Sequence, residues 1–140
     1  MSLTPFHLAL TVDDLDAARA FYGGVLGCGE GRSAPRWVDF DLFGHQLSLH
    51  LGERLTERVH NPVDGDSVPI PHFGVILRWD DWTTLRGRLE AAGTAFIVGP
   101  RIRFQGQPGE QATMFFPDPA GNMLEFKSFK DPARIFATEL

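Results

Sequence analysis

Two histidines and one glutamate stand in settings where their chemistry matters. His7 opens the run FHLALTV, His72 opens PHFGVIL, and Glu125 lies within NMLEFK. Two imidazoles and one carboxylate form a facial ligand set that leaves adjacent positions of a divalent cation open, an arrangement suited to non-haem Fe(II). The same donors serve Mn(II), Ni(II) or Zn(II), so the residue types do not choose the metal. Glu125 sits amid Met123, Leu124 and Phe126, where an unpaired carboxylate would be costly to bury.

The two histidines occupy equivalent places in an internal repeat. FHLALTVDDLDAARAFYGGVLG (6–27) and PHFGVILRWDDWTTLRGRLEAAG (71–93) each run from an apolar strand through an Asp-Asp pair into a helical pattern that ends at Gly. Leu15, Ala18, Tyr22 and Val25 fall at i, i+3, i+7 and i+10, as do Trp82, Leu85, Leu89 and Ala92, so each repeat carries one apolar helix stripe. Asp13-Asp14 and Asp80-Asp81 are placed to cap these helices, and Gly27 and Gly93 to end them. WVDFDLFGHQLSLHL (37–51), turning at Gly44, and TMFFPDPAGNMLEFK (113–127), turning at 118–122, read as hairpins. Further short strands are expected near 30–33, 94–98 and 102–105.

The predicted fold is α+β, with two βαβββ modules forming a curved, mostly antiparallel sheet cavity. Module 1 covers about 4–51, a Pro-, Gly- and Asp-rich linker about 52–70, module 2 about 71–128 and a tail 129–140. Side chains alternate faces along a strand. That places His7, Gln46, Ser48 and His50 on one face of module 1, opposite Leu47, Leu49 and Leu51. In module 2 it places His72 and Glu125 on faces opposite Phe73 and Leu124.

Composition narrows the partners. The chain has 140 residues, 13 Lys and Arg against 18 Asp and Glu, and a formal charge of -5, with no basic stripe for nucleic acid. No apolar run approaches the roughly 18 residues of a membrane span, and the N-terminus has no basic, cleavable leader pattern. The single cysteine, Cys28, forbids an internal disulfide and fits a reducing, cytoplasmic setting. Tyr22 reads as core, His45 as a turn residue, His60 as a loop residue, and Arg101 and Arg103 as a solvated strand edge.

HLALTVDDLDAARAFYGGVLG, PHFGVIL and FFPDPAGNMLEFK together resemble the vicinal oxygen chelate superfamily of glyoxalases, extradiol dioxygenases, fosfomycin-resistance enzymes and bleomycin-resistance proteins. The likeness covers nearly the whole chain and is greatest to a single-domain branch described as extradiol-dioxygenase-like. The resemblance implies a metal held by His7, His72 and Glu125. It implies ring cleavage of a small catecholic or vicinal-oxygen substrate by an Fe(II) dioxygenase, in a homodimer. The alternatives are a glyoxalase- or fosfomycin-resistance-type lyase or transferase using the same triad, and a non-catalytic small-molecule binder. Ser48 is the repeat equivalent of Glu125, and no acidic residue accompanies it on the inward face of its strand, which counts against a glyoxalase I. His50 is expected as an acid–base group beside the metal, and Gln46 and Ser48 as substrate contacts.

Overall fold

The computed structural model describes residues 3–140. These divide into two compact units, one of residues up to 56 with 118–122, the other of residues 57–117 with 123–140.

The first unit runs β1 (His7–Val12), α1 (Leu15–Arg19), a π-helical stretch (Ala20–Val25), β2 (Gly29–Ala34), β3 (Trp37–Leu42) and β4 (His45–Leu51). Its sheet has the order β1-β4-β3-β2, with β1 parallel to β4 and the other pairs antiparallel. Asp14 caps α1 by accepting from the Ala17 N–H. In the π-helical stretch the Leu26 N–H bonds five residues back, to the Phe21 carbonyl. The widened turn carries the apolar stripe through Ala18, Tyr22 and Leu26, all buried, in place of the expected Val25. Val38, Phe40, Leu42, Leu47 and Leu49 form the apolar face of the sheet, with the Tyr22 ring 5.9 Å from that of Phe40.

The turn at 118–122 also belongs to this unit. Asp118 accepts the Tyr22 hydroxyl at 2.8 Å and the backbone N–H groups of Ala120 and Asn122, while the Asn122 amide donates to the Thr11 carbonyl at 3.0 Å. The Tyr22 pKa is raised well above its ordinary value, first by burial and then by Asp118.

The second unit runs β5 (Val59–Val63), β6 (Asp66–Ile70), α2 (Trp79–Ala91), β7 (Val98–Arg103), β8 (Gln111–Pro117), β9 (Met123–Phe129) and a 3₁₀ turn (Pro132–Arg134). Its main sheet is β7-β8-β9, all antiparallel. Segment 73–77 lies parallel to β9 through bridges Phe73–Leu124 and Ile76–Lys127, so its order repeats that of the first unit. Trp82, Leu85 and Leu89 bury the predicted stripe of α2, and Trp82 donates to the Phe126 carbonyl at 2.9 Å.

Three local expectations change. Asp80 and Asp81 lie inside the first turn of α2, whose N-cap residue is Arg78 with no side-chain cap bond, so they act on the helix dipole rather than as caps. The strands expected near 94–98 and 102–105 are one bulged strand, β7. Residues 59–70, within the stretch read as a linker, form a hairpin that turns at Asp64 and Gly65, both at positive φ.

Candidate metal ligands and their settings

The first unit bears out the strand parity. Pairing sets His7 beside Gln46, Ala9 beside Ser48 and Thr11 beside His50. The neighbouring strand adds Asp41, Asp39 and Trp37 to the same three rows. His7 is exposed at the head of β1, and its Nδ1 lies 2.8 Å from the Gln46 Oε1. The Gln46 Nε2 faces the Asp39 carboxylate at 3.4 Å, and the Ser48 hydroxyl donates to the other Asp39 oxygen at 2.6 Å. A carboxylate only accepts, so Gln46 turns its NH₂ toward Asp39 and its carbonyl toward His7. His7 therefore donates from Nδ1 and keeps the Nε2 lone pair free when neutral.

Gln46 and Ser48 thus sit in a network that fixes the His7 ring. Asp39 completes it, and the reading of β4 alone overlooked it. The two-residue turn at Phe43-Gly44 sets Asp39 opposite Ser48, so hairpin counting signals its place. His50 is exposed, with its ring 6.5 Å from that of Trp37. His45 heads β4 and accepts the Phe6 N–H at 2.9 Å, while His60 lies exposed in β5.

The second unit brings His72 and Glu125 together. His72 Nε2 lies 3.2 Å from Glu125 Oε1, while its Nδ1 donates to the Pro69 carbonyl at 2.6 Å. The ring meets Phe115 edge-on, with centroids 4.9 Å apart. Gly74 makes this approach possible: a Cβ there would overlap the Glu125 carbonyl, whose residue also donates its N–H to the Phe73 carbonyl at 2.8 Å.

Glu125 is 7% exposed. Its Oε2 accepts from the Thr113 hydroxyl and from Arg103 Nη1 at 3.4 Å, leaving Oε1 toward His72. Burial alone would raise the Glu125 pKa. The bonds from His72 and Thr113, with the charges of Lys127 and Arg103, more than offset it, and the carboxyl sits below its ordinary value. The His72 pKa moves up, chiefly through its bond to Glu125 and against the opposing effect of burial.

Arg103 departs from its reading as a solvated edge. It is 3% exposed, lies over the Phe115 ring at 5.4 Å, and pairs with both Glu125 and Asp66. Asp66 also meets Arg101 at 3.2 Å, so the β5–β6 hairpin supplies Asp66 to Arg103 and the Pro69 carbonyl to His72. Sequence reading missed both contacts because it took this stretch for a linker.

The donor set fits a divalent cation. Both imidazoles have Nδ1 tied to a carbonyl oxygen, the arrangement that orients metal-bound histidines, and the Nε2 of His72 meets Glu125 Oε1. Glu125 has one oxygen anchored and one directed to His72. Among the described residues, no cluster of three or more His, Cys, Asp or Glu side chains is gathered at metal-holding distance. Among the described residues, no helix is long and apolar enough to cross a membrane.

The chain matches the family model of the Glyoxalase/Bleomycin resistance protein/Dioxygenase superfamily over residues 4–126. A glyoxalase/bleomycin resistance protein/dioxygenase from Alicyclobacillus acidocaldarius is 33% identical, with 95% of this chain and 96% of that chain covered and a TM-score of 0.80. The fosfomycin resistance protein FosX from Listeria monocytogenes is 22% identical over 96% of this chain and 100% of that one, with a TM-score of 0.69. A lactoylglutathione lyase from Agrobacterium tumefaciens is 24% identical over 96% of both chains, with a TM-score of 0.66. The last two likenesses speak to the fold alone. No curated protein matches the chain.

Proposed function

Because the chain belongs to the glyoxalase/bleomycin resistance protein/dioxygenase superfamily, we propose that it is a metal-dependent enzyme whose ligands are His7, His72 and Glu125. Its reaction is extradiol cleavage of a small catecholic substrate with Fe(II). One observation carries the reading: two histidines in separate units have the same preparation, Nδ1 held on a carbonyl oxygen, and the Nε2 of His72 is turned to the Oε1 of Glu125, the third ligand of the set. A ligating histidine needs its ring held in this way.

A bound divalent cation would supply Lewis acidity toward two vicinal oxygens and a site for O₂. The residues of this chain do the rest. Asp39, through Gln46, fixes the ring of His7. Pro69 fixes that of His72. Thr113 and Arg103 keep Glu125 ionised and its second oxygen occupied, so that it presents one oxygen only. His50, on the face of the sheet that carries His7, accepts a proton from a substrate hydroxyl, and Gln46 and Ser48 border the substrate. The working form is a homodimer.

Metal analysis of purified protein, followed by oxygen uptake with a panel of catechols after anaerobic loading with Fe(II), tests this. One equivalent of metal and catechol-dependent uptake is the expected result. Metal without uptake leaves a lyase or transferase on the same ligands, and absence of metal leaves a binding protein.

A further inference from the structure

Beside His72 and Glu125 the second unit forms a concavity of about 270 Å³, bordered also by Gly74, Ile76 and Lys127. Ile76, 40% exposed, gives it an apolar wall. Lys127 lies two residues beyond Glu125 on the same face of β9, and its ammonium stands 5.9 Å from the Phe129 ring.

The basic side chains of β7, of β9 and of the residue after it are unequally matched. Arg101 meets Asp64 and Asp66, Arg103 meets Asp66 and Glu125, and Lys130 meets Glu110. Among the described residues, Lys127 has no carboxylate within ion-pair distance, although Glu125 is near in sequence. Of these cations it is the one outside an ion pair, its charge acting on Glu125 only at longer range. With Arg101, Arg103 and Lys127 set against Asp64, Asp66 and Glu125, the group is neutral, and a divalent cation would make it doubly positive. A diol bound with one hydroxyl ionised leaves half of that excess uncompensated in a half-enclosed site, whereas a ligand with a further anionic head answers it.

We infer that Lys127 is the specificity residue for a carboxylate carried by the ligand, so that the favoured class is a small carboxylated aromatic bearing two vicinal oxygens. The ring lies against Ile76 and the carboxylate pairs with the ammonium. This deepens the proposed function and rests on it for the placing of the vicinal oxygens; the carboxylate contact is the chain's own.

The probes are 3,4-dihydroxybenzoate and 4-methylcatechol, which share the diol and differ in the carboxylate. Each is titrated calorimetrically, without oxygen, into wild type, Lys127→Met and Lys127→Arg, with metal content measured on the same samples. Wild type is expected to bind the carboxylate compound about tenfold more tightly, the gain of one charge-assisted contact. Lys127→Met is expected to lose that preference at unchanged metal content, and Lys127→Arg to recover it. No preference in wild type, a preference surviving in Lys127→Met, or no binding of either compound overturns the inference. A wild type without metal overturns the metal-centre reading instead. The preference is then read with benzoate on the metal-free chain, where binding lost in Lys127→Met supports the inference and equal or absent binding overturns it.

Discussion

Gln46 decides which nitrogen of His7 bears the proton. Its Oε1 stands 2.8 Å from the His7 Nδ1 because its NH₂ is claimed by Asp39. Neither residue belongs to the proposed ligand set, yet together they set the orientation and tautomer of one of its members.

Gln46→Leu removes that control without touching the apolar face of the sheet. Metal affinity is expected to fall about 10- to 100-fold, the usual cost of losing an orienting partner, with an unchanged circular dichroism spectrum. Competition with a chromophoric chelator measures it, and equal affinities in variant and wild type would show that the contact is idle.

Glu125 separates ligand loss from structural damage. Glu125→Ala should abolish stoichiometric metal but also strand the buried Thr113 hydroxyl and one arm of Arg103, costing about 1–3 kcal/mol. Glu125→Gln keeps an acceptor for Thr113 and should melt closer to wild type while still failing to hold metal. His7→Ala and His72→Ala should lose metal and remain folded. Full occupancy in any of these, by elemental analysis, removes that residue from the ligand set.

Gly74→Ala should be among the most damaging small substitutions in the chain. The added methyl would overlap the Glu125 carbonyl, so segment 73–77 must leave β9. A loss of at least about 2 kcal/mol is expected, in the range for forced overpacking, together with loss of metal because His72 moves with the segment. Chemical denaturation of the metal-free chain reads the first effect apart from the second.

His50→Ala tests the acid–base role. Metal content should be retained while turnover falls about 10²-fold or more, the usual contribution of a general base, and the acidic limb of the pH–rate profile should disappear. A profile identical to that of wild type would leave His50 as no more than a neighbour of Trp37.

In the metal-free chain, the His72–Glu125 pair makes stability depend on pH in two directions. The raised His72 pKa contributes fully below the ordinary value of 6.5 and is lost as pH climbs through the folded value. The lowered Glu125 pKa contributes above its ordinary value of 4.5 and is lost as pH falls through the folded one. Thermal melts should therefore show the largest gap between wild type and His72→Gln between about pH 4.5 and 6.5, narrowing on either side. A gap that widened steadily toward pH 9 would contradict the pairing.

The repeat, the helix stripes and the alternation of strand faces were legible because each is a local pattern with one physical reading. Trp82, Leu85 and Leu89 could hardly face anything but a sheet, and Ser48 and Gln46 follow from parity. The π-helical stretch was not legible, because one widened turn only exchanges Val25 for Leu26. The β5–β6 hairpin was hidden by Pro62 and Pro69 at positions that ordinarily break a strand. Arg103 was misread for a related reason. Its partners Asp66 and Glu125 lie 37 and 22 residues away, and only tertiary pairing justifies burying a guanidinium.

The turn at 118–122 bears on any attempt to divide this protein. Its five residues belong with the first unit, although the strands on either side of them belong to the second. A fragment ending near residue 56 would retain Tyr22, whose hydroxyl is wholly enclosed, but lack Asp118, its acceptor. The remaining fragment would keep Asp118 and Asn122 without the Tyr22 donor and the Thr11 acceptor that meet them. Neither piece is a self-sufficient half of the chain. Split-protein complementation should accordingly depend on Asp118, and a Tyr22→Phe fragment should tolerate its loss better than the natural one.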